Sequence, residues 1–294
     1  MKTTLFEGSA VALVTPFDKT GKHVDFDKLG ELVEFHIKNG TDALVVCGTT
    51  GEAPTLEDEE HLNAVKYSIE KCAGRIPVIA GTGSNNTDHS IMMTKIVESY
   101  GADGILSVTP YYNKATQKGL YKHYEAIASN TSLPIILYNV PSRTGVNIAP
   151  ATVKQLSEIP NITAIKEASG NISQVAQIAA ICGDNIDIYS GNDDQIVPIM
   201  SLGGKGVISA VSNIVPREIS TLCGEFFKGN IKESAKIQLS LYDLIDEMFA
   251  EVNPIPIKTA LALMGKCKDI FRLPMCESTR KDKIREMLTR YKLI

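Results

Sequence analysis

The sequence of 294 residues predicts a closed (β/α)8 barrel, a TIM barrel, followed by a helical C-terminal extension. Three observations carry this reading. Eight short apolar runs recur along the chain, rich in Val and Ile and nearly continuous, as strands covered on both faces of a parallel sheet must be. Amphipathic helical patterns fill the gaps between them. No G-x-G-x-x-G follows the first run, which favours the closed barrel over an open doubly wound sheet with the same alternation.

The first strand is read at 9–16 (SAVALVTP) and the first helix at 25–40. In that helix Phe26, Leu29, Leu32, Val33 and Ile37 form one stripe, and Gly40 stops it. Further strands are read at 42–48, 76–81, 103–110, 133–141, 162–166, 186–191 and 205–210. The segment 55–74 predicts a helix opened by a capping box of Thr55 and Asp58. From about residue 224 only helical patterns remain, over 231–251 and over the basic stretch 278–292, whose charges suit a solvated face. The expected division is a barrel carrying the site, 1–223, and a helical extension, 224–294.

Composition narrows the function. Length alone allows one large domain or two ordinary ones, and 44% apolar residues suffice for a sizeable core. A net charge of −4, with no basic asymmetry, argues against nucleic acid as the main partner. The six cysteines are scattered with no C-x-x-C pair, as in a protein kept reduced. The N-terminal apolar run is broken by Pro16 and is too short for a signal or a membrane span, so a cytoplasmic protein is expected.

A barrel of this kind carries its site at the C-terminal ends of the strands. Those ends read Thr15, GTTGE (48–52), GTGSNN (81–86), TPYYN (109–113), YNVPSRTG (138–145), Lys166-Glu167, GND (191–193) and SAVSN (209–213). Metal-assisted chemistry would need inward His, Asp or Glu ligands. The five histidines (23, 36, 61, 89, 123) fall in helical or loop segments. Glu52, Glu167, Asp193 and Asp194 could hold a magnesium ion or could cap helices and order loops. The loops after strands seven and eight lack the glycine-rich phosphate cradle common there, which weighs against a phosphorylated substrate.

Amine chemistry is the third possibility. Lys166 ends an apolar strand, a poor place for a charge with no task. A lysine there can condense with a ketone, and apolar walls favour the neutral amine that attacks. Pairing with Glu167 is the structural alternative, although neighbours on a strand point to opposite faces. Lys205, by contrast, precedes its strand and belongs to the stability face. Imine chemistry also needs a proton shuttle, for which Tyr138, Thr50 and Tyr112 are available. Each has an ordinary reading too, as an amphipathic tyrosine or a turn threonine. Backbone amides of the GTTGE turn could hold a carboxylate.

The motifs GTTGE, TPYYNKATQKGLYKHY, LYNVPSRTG, IKEASGN, YSGNDD and GGKGVISAVSN together resemble the dihydrodipicolinate synthase family of pyruvate-dependent aldolases over nearly the whole chain. The resemblance implies that Lys166 forms the imine with pyruvate and that Thr49 and Thr50 bind its carboxylate. It implies a relay of Tyr138, Thr50 and Tyr112, the last supplied by a neighbouring subunit. Arg143 would receive the carboxylate of L-aspartate semialdehyde, and Gly191 and Ile208 would line the pocket. It further implies a homo-oligomer, a tetramer built from tight dimers, with no organic cofactor and no catalytic metal.

Many members of this family bind lysine as a feedback effector. The matching positions here are Ala53, Pro54, Asp58, His61, Asn85, His89 and Tyr111. His89 stands where a carboxylate would meet the effector's ammonium, so weak or absent inhibition is expected. Three rival readings keep a place: an aldolase for a sugar acid, like the sialic acid lyases, which would not need Arg143; a non-catalytic ligand-binding barrel; and a metal-dependent lyase.

Overall fold

Runs of Val, Ile, Leu and Ala suit strands covered on both faces, and closing the sheet leaves no edge of unpaired N–H and C=O groups. The computed structural model describes residues 2 and 4–294. Among them, eight parallel strands close in chain order. They are β1 (Gly8–Ala12), β2 (Ala43–Val46), β3 (Val78–Gly81), β4 (Gly104–Val108), β5 (Ile135–Asn139), β6 (Ile162–Glu167), β7 (Asp187–Ser190) and β8 (Gly206–Ser209). The helices of the barrel are α1 (Phe26–Lys38), α2 (Asp58–Cys72), α3 (Thr87–Ser99), α4 (Gln117–Ala128), the short α5 (Pro141–Thr144), α6 (Pro150–Leu156), α7 (Ile172–Cys182), α8 (Ile196–Met200) and α9 (Pro216–Phe227). The extension holds α10 (Ile231–Ser240), α11 (Tyr242–Met248), α12 (Ile255–Leu263) and α13 (Lys281–Arg290). No helix among the described residues is long and apolar enough to cross a membrane.

Side-chain alternation splits the core in two. Ala10, Ala43, Val45, Ile79, Leu106, Ile136, Ala164 and Ile208 fill the barrel interior. Val11, Leu44, Val46, Val78, Ile105, Leu137, Ile165 and Val207 pack outward against the helices. At the far end of the interior Phe6 stacks on Tyr189, centroids 4.3 Å apart, and the Tyr189 hydroxyl donates to Phe6 O at 2.6 Å.

One irregularity decides the chemistry. In the β5–β6 pairing Ile135 faces Ile162, but Ile136 faces Ala164, leaving Thr163 as an extra residue. Counting in twos from the outward Ile162 would turn Lys166 out of the barrel. The bulge flips that parity, so Lys166 faces Tyr138 across the ladder and both point inward.

The elements differ from expectation in detail. The strands are shorter than most of their apolar runs, because residues beyond the ladder continue buried into the site loops. The capping box at Thr55 and Asp58 does not form. Ala53–Thr55 make a 3-10 turn, the Thr55 hydroxyl donates to Glu52 O at 3.0 Å, and Glu57 precedes α2. Asp58, Glu59 and Glu60 in the first turn complement the helix dipole instead. The expected helix over 231–251 is two, broken at buried Leu241: α10 packs on α9, whereas α11 packs on α13. Helix α9 runs across the 223/224 division.

Candidate active site

Lys166, Tyr138, Thr49, Thr50, Arg143, Gly191 and Ile208 all line one cavity of about 170 Å³ at the C-terminal mouth. That is room for several waters or a small organic acid. Lys166 is only 6% exposed, and its ammonium lies 4.4 Å from the centre of the Tyr138 ring. The aromatic face supports a cation there, and the apolar neighbours Ala12, Val45 and Leu106 supply little else.

Glu167, next in the strand, points the other way. Its carboxylate accepts from Asn139 Nδ2 at 3.0 and 3.2 Å, from Gln174 Nε2 at 3.1 Å and from Ser169 N at 2.7 Å. It orders the loop behind the barrel and does not neutralise Lys166. Asp193 is likewise committed. It accepts from the Ser209 hydroxyl and from the amides of Ala210 and Val211, at 3.1 and 3.4 Å. Burial pushes its carboxyl above the usual range, opposed by those hydrogen bonds and by the charge of Lys166. Glu52 pairs with Lys258 at 2.6 Å. Lys205 sits at the opposite end, paired with Glu7 at 2.8 Å.

The glycines of the mouth are there for space. A Cβ on Gly191 would lie 2.6 Å from Ala168 Cβ and 3.2 Å from Lys166 Cε. One on Gly81 would lie 2.2 Å from Cys47 O, so β3 can approach the GTTGE turn only as glycine. That turn is tied down by Thr15, whose hydroxyl donates to Gly51 O at 2.7 Å.

The helical extension enters the site, which periodicity did not reveal. Phe249 and Asn253 line the cavity. Asn253 Nδ2 donates to Thr50 Oγ1 at 3.0 Å, and Asn253 O accepts from an Arg143 guanidinium nitrogen at 3.1 Å. One residue thus touches both a turn threonine and the rim arginine. The available signal was a lysine, Lys258, inside the apolar run IPIKTALAL, the same anomaly that marked Lys166.

Tyr112 does not line the cavity of its own chain. It stands 90% exposed, with a left-handed φ of 70°, on the loop after β4. The seven effector positions fall in the segments that follow β2, β3 and β4. His89 Nε2 sits 2.9 Å from Asp58 Oδ1, and Asn85 Nδ2 donates to Tyr111 O at 3.2 Å. His61 Nε2 lies 2.8 Å from Gly81 O, and burial lowers its affinity for a proton. Although His61 belongs to a helix, its ring therefore reaches a strand end. Ala53 and Pro54 belong to the 3-10 turn.

A model of the dihydrodipicolinate synthetase family matches residues 5–290. The chain is 55% identical over 282 residues to the 4-hydroxy-tetrahydrodipicolinate synthase of Acetivibrio thermocellus, covering 96% of this chain and 95% of that one. Among solved structures, the dihydrodipicolinate synthase of Aquifex aeolicus superposes with a TM-score of 0.96 at 46% identity, covering 98% of this chain and 99% of that one. The enzyme of Cyanidioschyzon merolae, crystallised with lysine bound, superposes with a TM-score of 0.96 at 40% identity, covering 99% of this chain and 100% of that one. The match spans barrel and extension alike: this chain belongs to the dihydrodipicolinate synthetase family.

Proposed function

We propose that this enzyme condenses pyruvate with L-aspartate 4-semialdehyde to give 4-hydroxy-tetrahydrodipicolinate, the first committed step of lysine and diaminopimelate biosynthesis. The observation that carries the reading is a buried lysine over a tyrosine ring at the barrel mouth, with a threonine turn on one side and an arginine on the rim.

The Lys166 amine adds to the keto carbon of pyruvate and expels its oxygen as water, leaving a protonated imine. Loss of a methyl proton gives an enamine, whose carbon attacks the aldehyde. The amino group of the semialdehyde then attacks the imine carbon, displaces Lys166 and closes the ring. The lysine itself supplies the electrophile. Thr49 and Thr50 receive the pyruvate carboxylate, and Arg143 receives that of the aldehyde through its planar fork. Gly191 and Ile208 shape the pocket.

Tyr138, Thr50 and Tyr112 relay the protons. The Thr50 oxygen accepts from Asn253 Nδ2, which leaves its own O–H free to donate along the relay, and Thr49 beside it also lines the cavity. Single Thr→Val variants separate the two: loss of turnover with pyruvate binding retained marks the relay member. Tyr112 comes from a second copy, in a cytoplasmic homotetramer built from tight dimers.

Borohydride reduction in the presence of pyruvate, followed by mass mapping, tests the whole reading. One reduced adduct is expected, on Lys166, and none in Lys166→Ala. A Lys166→Ala enzyme turning over at the wild-type rate would overturn it.

A further inference from the structure

The helical extension presses a second lysine into the molecule, behind the site. Lys258, on α12, is 0% exposed, and its ammonium lies 2.6 Å from Glu52 Oε1, whose side chain is 1% exposed. The ammonium also lies 3.8 Å from the Phe17 ring centre and 5.4 Å from that of Phe271. Burial lowers its hold on the proton, and the Glu52 charge opposes this. The other carboxylate oxygen, Oε2, is buried with no hydrogen-bond partner among the described residues.

Stability alone does not account for such a pair. An ion pair taken out of water is often replaceable by apolar side chains without loss, and an unpartnered oxygen adds to the cost. Location is the informative property. Glu52 closes the Gly48–Glu52 turn in a left-handed conformation, φ 54°, which costs energy for a residue with a Cβ and needs something to hold it. Two residues earlier, Thr50 lines the cavity and is held by Asn253, five residues before Lys258. The extension therefore grips this one turn at two points, a neutral hydrogen bond at Thr50 and a charge pair at Glu52.

We infer that Lys258 is a positioning residue for pyruvate: by anchoring Glu52 it fixes the turn whose threonines receive the substrate carboxylate. This rests on the proposed function. It assigns to the extension a role in binding the first substrate, distinct from any role in subunit contacts.

The test uses the full-length enzyme and two variants. Lys258→Met keeps the length of the side chain but leaves Glu52 buried and unpaired. The double variant Glu52→Gln/Lys258→Met removes both charges and so avoids the stability cost of a buried, unpaired carboxylate. The expected result is a KM for pyruvate raised about tenfold in both, equivalent to about 1.4 kcal/mol, with slower borohydride trapping at low pyruvate. The KM for aspartate semialdehyde and kcat at saturating pyruvate should stay within about twofold, while the double variant recovers the melting temperature but not the pyruvate KM. A double variant with wild-type pyruvate KM overturns the inference, as does an equal rise for both substrates. A wild-type enzyme that forms no trapped adduct overturns the proposed function itself, and this inference with it.

Discussion

Tyr138 and Lys166 face each other across the β5–β6 ladder, and the lysine ammonium stands 4.4 Å from the centre of the tyrosine ring. The pairing exists only because Thr163 is bulged out of the ladder. The site therefore depends on a register irregularity as much as on the residues themselves, and its neighbours tolerate little change of volume.

Gly191 tests that tolerance. The Cβ of Gly191→Ala would press on Ala168 and on Lys166 Cε. Overpacking of this kind costs about 1–3 kcal/mol. The lysine stem is the softer of the two neighbours, so a 5- to 150-fold loss of borohydride-trapped imine is expected, on the order of that energy. Wild-type trapping in a folded Gly191→Ala enzyme would show that the crowding is relieved elsewhere.

Arg143 should separate the two substrates. Its guanidinium is exposed at the rim and is steadied by the Asn253 carbonyl. Loss of one charge-assisted contact is worth about 1.5–3 kcal/mol, so Arg143→Ala should raise the KM for aspartate semialdehyde about 10- to 150-fold. Pyruvate trapping should continue. Parallel loss of trapping would assign Arg143 a purely structural part.

Tyr112 projects from its own barrel and is nearly fully exposed, as a residue bound for another subunit would be. Mixing Tyr112→Phe subunits with Lys166→Ala subunits distinguishes the two arrangements. If the tyrosine crosses, one site per mixed dimer has both groups and activity returns. If it acts within its own chain, no site is intact and the mixture stays as inactive as its components.

Lysine should inhibit weakly. Asp58, the acid among the seven effector positions, is engaged by His89 at 2.9 Å. An effector ammonium would have to displace that contact. Half-inhibition is expected only above about 1 mM, the affinity of a site worth about −4 kcal/mol. His89→Glu should lower that concentration about tenfold by supplying a charge-assisted partner. Submillimolar inhibition of the wild type would mean that the altered pocket still recognises lysine.

Much of this protein was legible locally. Continuous Val- and Ile-rich runs between amphipathic segments encode parallel strands under helices, and the barrel rule then sends GTTGE, YNVPSRTG, Lys166 and Gly191 to one mouth. Periodicity records which face of an element is buried, and strand order follows from the alternation. What it does not record is contact between distant segments. The Thr163 bulge is invisible in an apolar run, because Ile162 to Ile165 are all compatible with a buried strand, yet it sets which way Lys166 points. The share of the extension in the site was equally hidden: Asn253 reaches Thr50, and Lys258 reaches Glu52, each across more than 200 positions of chain. Those partners were chosen by packing α12 against the barrel mouth, where a buried ammonium had to meet a carboxylate and a buried amide a hydroxyl.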